Sequence, residues 1–166
     1  MKIALPELRI TLLDSTAKKT TFLKEVVEEL KLGSVEVITN RAEELGQDPE
    51  HREAYDLVVA RAVARLPELA ELTLPFAIIG GTVILPKSAG LEDELDAAAA
   101  AAEILGAAPA ITLQVDRPGT SSPDHTVYWM KISPTPREFP RRIGVPHRSP
   151  LIEQNSRPNA KPFWNK

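Results

Sequence analysis

Apolar and polar positions along this chain follow two periods in turn, and each change of period marks an element. Arg9 to Asp14 (RITLLD) is a short apolar run ending at an acid, and behind it Phe22, Leu23, Val26, Val27 and Leu30 recur on one face of a helical period. A strand followed by a helix is predicted. Gly33 stands where a helix C-cap is expected, and VEVIT at Val35 to Thr39 alternates as the next strand would. After a polar stretch from Asn40 to Ala54, YDLVVA at Tyr55 to Ala60 is almost continuously apolar, the pattern of a strand buried on both faces.

Pro67 suits the first turn of a helix carrying Leu69, Leu72 and Leu74. Pro75 ends or kinks it, and Gly80-Gly81 is expected to turn the chain into a strand TVIL at Thr82 to Leu85. Another helix is predicted near Leu91 to Leu105, where the alanines from Ala97 to Ala102 favour helix and allow close packing on a sheet. ITLQV (Ile111 to Val115) and HTVYWMKI (His125 to Ile132), separated by Pro118-Gly119 and polar residues, read as an antiparallel pair. Beyond Ser133, seven of the fifteen prolines and no hydrophobic period predict an irregular tail that wraps on the surface or stays mobile. The expectation is an α/β core, mostly parallel with a terminal antiparallel pair, over residues 1–133, and a proline-rich basic tail over 134–166. Such sheets bind ligands at the carboxyl ends of their strands.

Composition narrows the chemistry. The 166 residues contain no cysteine, which excludes a disulfide framework and a thiolate metal site, and His51, His125 and His147 are too far apart for a ligand motif. No run of about 18 apolar residues is present, and the N-terminus lacks a signal-peptide layout, so a cytoplasmic protein without a membrane segment is expected. Residues 133–166 carry seven Lys or Arg against two Glu, a balance of +5, so a chain of net charge -3 leaves -8 on the remainder. A basic tail of this kind either meets phosphates through counterion release or simply solubilises the chain.

Asp14 ends a strand, where an acid can accept hydrogen bonds from both hydroxyls of a ribose; alternatively Asp14 or Ser15 caps the following helix. NRAEEL at Asn40 to Leu45 follows the next strand, at a place where backbone groups can read an adenine edge, or it is a solvated loop. Arg61 directly follows YDLVVA, where a guanidinium can hold a carboxylate or phosphate bidentately, or lies free on a helix start. EFPRRIGVPHRSPL at Glu138 to Leu151 interleaves Arg141, Arg142 and Arg148 with prolines and Phe139, an arrangement suited to an RNA backbone or to a solvated tail.

In order, LPELRITLLDSTAKKTTFLKEVVEELKL, VEVITNRAEEL, YDLVVARAVARLPELAEL, GGTVILPKS and EFPRRIGVPHRSPL resemble, block by block, the RsmG (GidB) family, bacterial methyltransferases of ribosomal RNA. The resemblance runs nearly end to end. It implies a class I, Rossmann-like methyltransferase fold, S-adenosyl-L-methionine (SAM) as methyl donor with no metal, and N7 of a guanine in 16S ribosomal RNA of the 30S subunit as acceptor, with the protein acting as a monomer. By position it implies that Asp14, Ser15 and Thr16 lie by the cofactor ribose, Ala42 and Glu43 by the adenine, and Arg61 near the methionine end or the reacting base. Lys87 and Arg141 or Arg142 would face RNA, although family members often have KG where this chain has Lys87-Ser88.

The family pattern also has N-terminal helices and a strand with a GSGAGFPG-like turn ahead of the segment equivalent to KIALPEL, so an N-terminally truncated member is expected. The absent strand would lie between RITLLD and YDLVVA, leaving unpaired edges. Guanine N7 has no proton to remove, and no proton-transfer residue is expected. The competing expectation is an inactive fragment that keeps at most RNA affinity.

Overall fold

In the computed structural model, the described residues are 1–61, 64–87, 91–115 and 124–151. β1 (Ile10–Asp14), α1 (Ala17–Glu29), β2 (Val35–Thr39) and α2 (Ala42–Leu45) come first. β3 (Tyr55–Val59), α3 (Leu66–Thr73), a 3-10 turn (Leu74–Phe76), β4 (Ala77–Lys87) and α4 (Leu91–Ile104) follow, and β5 (Ile111–Val115), β6 (Asp124–Met130) and α5 (Val145–Arg148) complete the order. The expected Pro118-Gly119 connection lies outside the described residues.

The strands form two sheets. β1 pairs β2 in parallel, and β3-β4-β6-β5 form a second sheet in which β3 and β4 are parallel while β6 runs antiparallel to both β4 and β5. RITLLD and YDLVVA thus fall in different sheets, and among the described residues β3 pairs with β4 alone. Here the reading of Tyr55 to Ala60 as buried on both faces is corrected. Leu57 and Val59 are 40% and 46% exposed, because β3 ends its sheet and no described helix packs on their face of it.

The other face holds the core. Val83, Leu85, Val127 and Trp129 pack beneath Leu66, Leu69 and Leu74 of the α3 region and Ala98, Ala101 and Leu105 of the α4 region. Ala98, Ala101 and Ala102 recur at helical spacing and are buried, which lets α4 lie close to its neighbours. Each large apolar side chain removed from water here is worth about 1.5–3 kcal/mol.

Three further local expectations change. Of the α1 stripe, Leu23, Val26 and Val27 are half-buried, but Phe22 and Leu30 stay exposed because a two-stranded sheet is too narrow to cover the whole stripe. The cap of α1 is not Gly33. Lys31 takes the left-handed conformation (φ 49), with its N–H on Glu28 O and that of Leu32 on Val27 O, a Schellman arrangement. Gly80 and Gly81 do not precede the strand but lie inside β4, where pairing jumps from Tyr55↔Ala77 to Leu57↔Thr82. Gly80 has φ 86, and a Cβ on Gly81 would meet Ile78 O at 2.9 Å and Asp56 O at 3.0 Å, so the pair forms a kink that brings backbones together.

Residues 133–151 wrap on the core, with Thr135, Phe139, Pro140 and Pro146 buried; those from 152 onward lie outside the described residues. None of the described helices is long and apolar enough to cross a membrane.

Candidate functional site at the strand ends

The register pairs Asp14 with Thr39, so β1 and β2 end together and deliver Asp14 and the segment Asn40–Ala42 to one edge. Thr20 and Thr39 join through their hydroxyls at 2.6 Å, fixing α1 against that edge. Asp14 Oδ1 accepts the Thr16 N–H at 2.8 Å, and Oδ2 accepts from Lys19 Nζ at 3.2 Å. Asp14 therefore shapes the turn into α1, while Thr16, at the N-cap, makes no capping bond with its own side chain. The Thr16 N–H bond, more than the nearby Lys19, holds the Asp14 carboxyl below its usual range. The carboxylate is ionised at neutral pH, remains 27% exposed, and keeps acceptor capacity on both oxygens. Ser15 and Thr16 are exposed beside it.

Asn40 Oδ1 accepts the Arg41 N–H at 2.7 Å, which directs the chain into α2. Ala42 is half-buried at its start, and its carbonyl accepts the Gly46 N–H. The Glu43 side chain is already engaged: buried, it accepts the Gly144 N–H at 2.9 Å and a bond from Arg41 Nη2 at 3.3 Å. Burial pushes its carboxyl up, but these bonds prevail and hold it below the ordinary value. The Glu43 side chain thus ties α2 to the C-terminal segment, and what α2 offers a ligand is backbone and Ala42.

Arg61 stands at the carboxyl end of β3, exposed and without a hydrogen bond or ion pair to any described residue. Lys87 ends the adjacent β4. Its Nζ lies 2.8 Å from Glu94 Oε2 and 3.3 Å from Ala64 O, and Glu94 also accepts the Leu66 N–H at 2.8 Å. Lys87 and Glu94 therefore hold Ala64 and Leu66 at the entry to α3. Asp14 and Ala42 are brought to one edge; Arg61 and Lys87 share the corresponding edge of the other sheet, and no described hydrogen bond links the two sets.

The arginines of the C-terminal segment differ in what holds them. Arg141 binds Glu71 of α3 through Nε and Nη2, and donates from Nη2 to Ser149 O as well. Arg142 and Arg148 are exposed.

Two hubs were not anticipated from the sequence. Arg52 donates to Gly46 O, Phe139 O, Thr135 O and Pro136 O, stitching the C-terminal segment to the core. Lys131 is fully buried, with Nζ bonded to Glu53 Oε1 at 3.0 Å, Leu74 O at 2.9 Å and Thr135 Oγ1 at 2.6 Å. Burial lowers its pKa, opposed by the Glu53 pairing. A signal for Lys131 exists in HTVYWMKI, whose alternation puts it on the side of Val127 and Trp129; none marks Arg52.

Residues 1–120 match the family described as GidB, rRNA small subunit methyltransferase G. The chain is 45% identical over 152 residues to the ribosomal RNA small subunit methyltransferase G of Dehalococcoides mccartyi, covering 92% of this chain and 65% of that protein. It is 42% identical to the protein of that name from Roseiflexus castenholzii, covering 92% of this chain and 64% of the relative. The chain thus spans a little under two thirds of these relatives. Among solved structures, M. jannaschii TYW2 in complex with AdoMet superposes with a TM-score of 0.51 at 15% identity, covering 72% of this chain and 55% of that one, a likeness of fold. With its strand order and with the family match spanning most of its length, the chain belongs to the rRNA small subunit methyltransferase G family.

Proposed function

We propose that this chain is the larger part of a cytoplasmic SAM-dependent methyltransferase that modifies N7 of a guanine in 16S ribosomal RNA within the 30S subunit. The observation that carries the reading is the alignment of Asp14 and Ala42 on one carboxyl edge of parallel strands, in a member of this family.

The residues present fit half of the cofactor. An ionised, partly exposed Asp14 with free acceptor capacity suits two ribose hydroxyls, with Ser15 and Thr16 alongside. The backbone at Ala42 suits an adenine edge, with Glu43 acting from behind through its bond to Gly144. Arg61, exposed and unpaired among the described residues, suits a carboxylate or the reacting base.

SAM, when bound, supplies an electrophilic methyl group. Guanine N7 offers an in-plane lone pair and carries no proton, so this chain's residues would have to orient the base and exclude water, with no proton to move, while S-adenosylhomocysteine would leave as the S–CH3 bond broke. Such alignment is worth about 7–11 kcal/mol. Arg142 is free to meet RNA phosphate, whereas Arg141 and Lys87 hold Glu71 and Glu94 and would act on RNA by positioning their segments.

A second reading is favoured by the unpaired edge of β3: the chain by itself keeps RNA affinity but has little cofactor affinity, because Asp14 and Arg61 belong to sheets that no shared strand holds in register. Calorimetric titration with SAM, and methyl transfer to 30S subunits, are to be measured for the chain and for the chain joined to the remaining portion of the D. mccartyi relative. The joined protein is expected to bind SAM and to make 16S RNA cleavable at one guanine by borohydride reduction followed by aniline, with the chain alone doing neither. Micromolar SAM binding by the chain alone would overturn the incomplete-site reading, and transfer by the joined protein to another atom would overturn N7.

A further inference from the structure

Residues 137–149 contain one short helix, α5, and pair with no described strand, and the backbone bonds that they make are local. Side-chain bonds to two other elements therefore set where the segment lies. One group comes from the stretch that begins at α2. Glu43 accepts the Gly144 N–H at 2.9 Å, and Gln47 Nε2 donates to Pro140 O at 2.8 Å and Arg137 O at 3.3 Å. Gly46 lies so close that a Cβ on it would meet Pro140 Cγ at 2.9 Å. The other group comes from α3, where Glu71 holds Arg141 and Glu68 Oε2 lies 3.1 Å from His147 Nδ1. The segment thus bridges the helix that follows β2 and the helix that follows β3, two strands of different sheets.

Gly144 is where this bridge meets exposed positive charge. It takes the left-handed conformation (φ 74), with Glu43 on its N–H and Arg148 Nη1 3.5 Å from the place a Cβ would occupy. Arg142, which is exposed, belongs to the same turn, its carbonyl accepting the Val145 N–H. A phosphate held by Arg142 and Arg148 therefore acts on the residue that Glu43 grips, and Glu43 directly follows Ala42. The grip is firm for an electrostatic reason. A buried carboxylate that loses a hydrogen bond is left with charge that water cannot reach, so α2 and Gly144 shift together.

We propose that the Glu43–Gly144 bond couples the two ligands of this protein, so that RNA engaging residues 137–149 tightens the cofactor at Ala42, with Glu43 as the positioning residue. The inference rests on the reading of Asp14 and Ala42 as cofactor residues given above and adds the dependence of one ligand on the other. Such coupling is reciprocal and amounts typically to about 5–150-fold in affinity.

The test uses the chain joined to the remaining portion of the D. mccartyi relative. S-adenosylhomocysteine, which has no methyl group to transfer, serves as cofactor probe, and 30S subunits lacking the modification serve as RNA probe. Equilibrium dialysis is expected to give a cofactor Kd lower by about fivefold or more with subunits than without. In Glu43→Ala the two Kd values should converge. In Glu43→Gln, whose amide oxygen still accepts the Gly144 N–H, the ratio should persist; a merely structural role would shift both values and leave their ratio intact. Amide exchange at Gly144, followed in the chain by itself and independent of any cofactor, should quicken by about tenfold in Glu43→Ala, since a bond to a charged group is lost. The coupling is overturned by equal Kd values with and without subunits in the unsubstituted protein, by an undiminished ratio in Glu43→Ala, by a ratio lost equally in Glu43→Gln, or by unchanged exchange at Gly144. Absence of S-adenosylhomocysteine binding under both conditions would instead overturn the cofactor reading itself, and this inference with it.

Discussion

Arg141 reaches Glu71 from two directions, its main-chain N–H lying 2.7 Å from Oε1 and its Nη2 2.6 Å from Oε2, with the Glu71 side chain wholly buried. The pair fastens a segment more than sixty residues downstream to α3. Removing one member of a buried pair strands the other, at about 3–5 kcal/mol. Arg141→Ala is therefore expected to lower unfolding stability by about 3 kcal/mol in urea titration. Arg142→Ala, at an exposed position, is expected to change stability by less than about 0.5 kcal/mol while weakening RNA binding. Equal stability losses in the two variants would remove the distinction.

Lys131 allows a comparison of charge with packing. Lys131→Met keeps the volume of the stem and leaves Glu53, which is partly exposed, to water; Lys131→Ala loses the packing as well. The alanine variant is expected to be the less stable by about 2–5 kcal/mol, measured by thermal and urea unfolding. Equal losses would show that the bonds to Glu53, Leu74 and Thr135 account for the whole effect.

Stability is expected to fall in acid through three carboxylates. In Glu43, Glu53 and Glu94, burial acts upward and is outweighed: by the Gly144 N–H and Arg41, by the Thr135 N–H and Lys131, and by Lys87 and the Leu66 N–H respectively. Their folded values lie below their unfolded ones. The stabilisation is present above the ordinary glutamate value of about 4.3 and disappears as pH falls from there through the lowered values. Urea midpoints measured between pH 7 and pH 3 should drop steeply below that value, and Glu43→Gln should flatten the slope. A midpoint independent of pH across this range would contradict the assignment.

Gly81→Ala should destabilise the chain by about 1–3 kcal/mol, because the added Cβ meets the carbonyl oxygens of Ile78, Asp56 and Tyr55, which are backbone atoms and cannot rotate away. A neutral result in equilibrium unfolding would mean that the β3–β4 kink is more pliable than its geometry indicates.

What the sequence determined by itself is local and periodic. The two-residue alternation of VEVIT and ITLQV and the helical spacing of the α4 alanines are physics of a single segment, and β2, β5 and α4 stand where those patterns put them. The ordered motif blocks likewise identified the family without a contact being known. Tertiary structure decided which side chains remain free to act, because a hydrogen-bond partner far along the chain leaves no period in the sequence. Glu43, read beside an adenine, spends its carboxylate on Gly144; Lys87 and Arg141, read on RNA, are held by Glu94 and Glu71, while Asp14 stays partly exposed and Arg61 exposed. The burial of YDLVVA was misread for the same reason. Its apolar run carries no record of strand order, and only the sheet shows that among the described residues β3 pairs along one edge and leaves Leu57 and Val59 exposed.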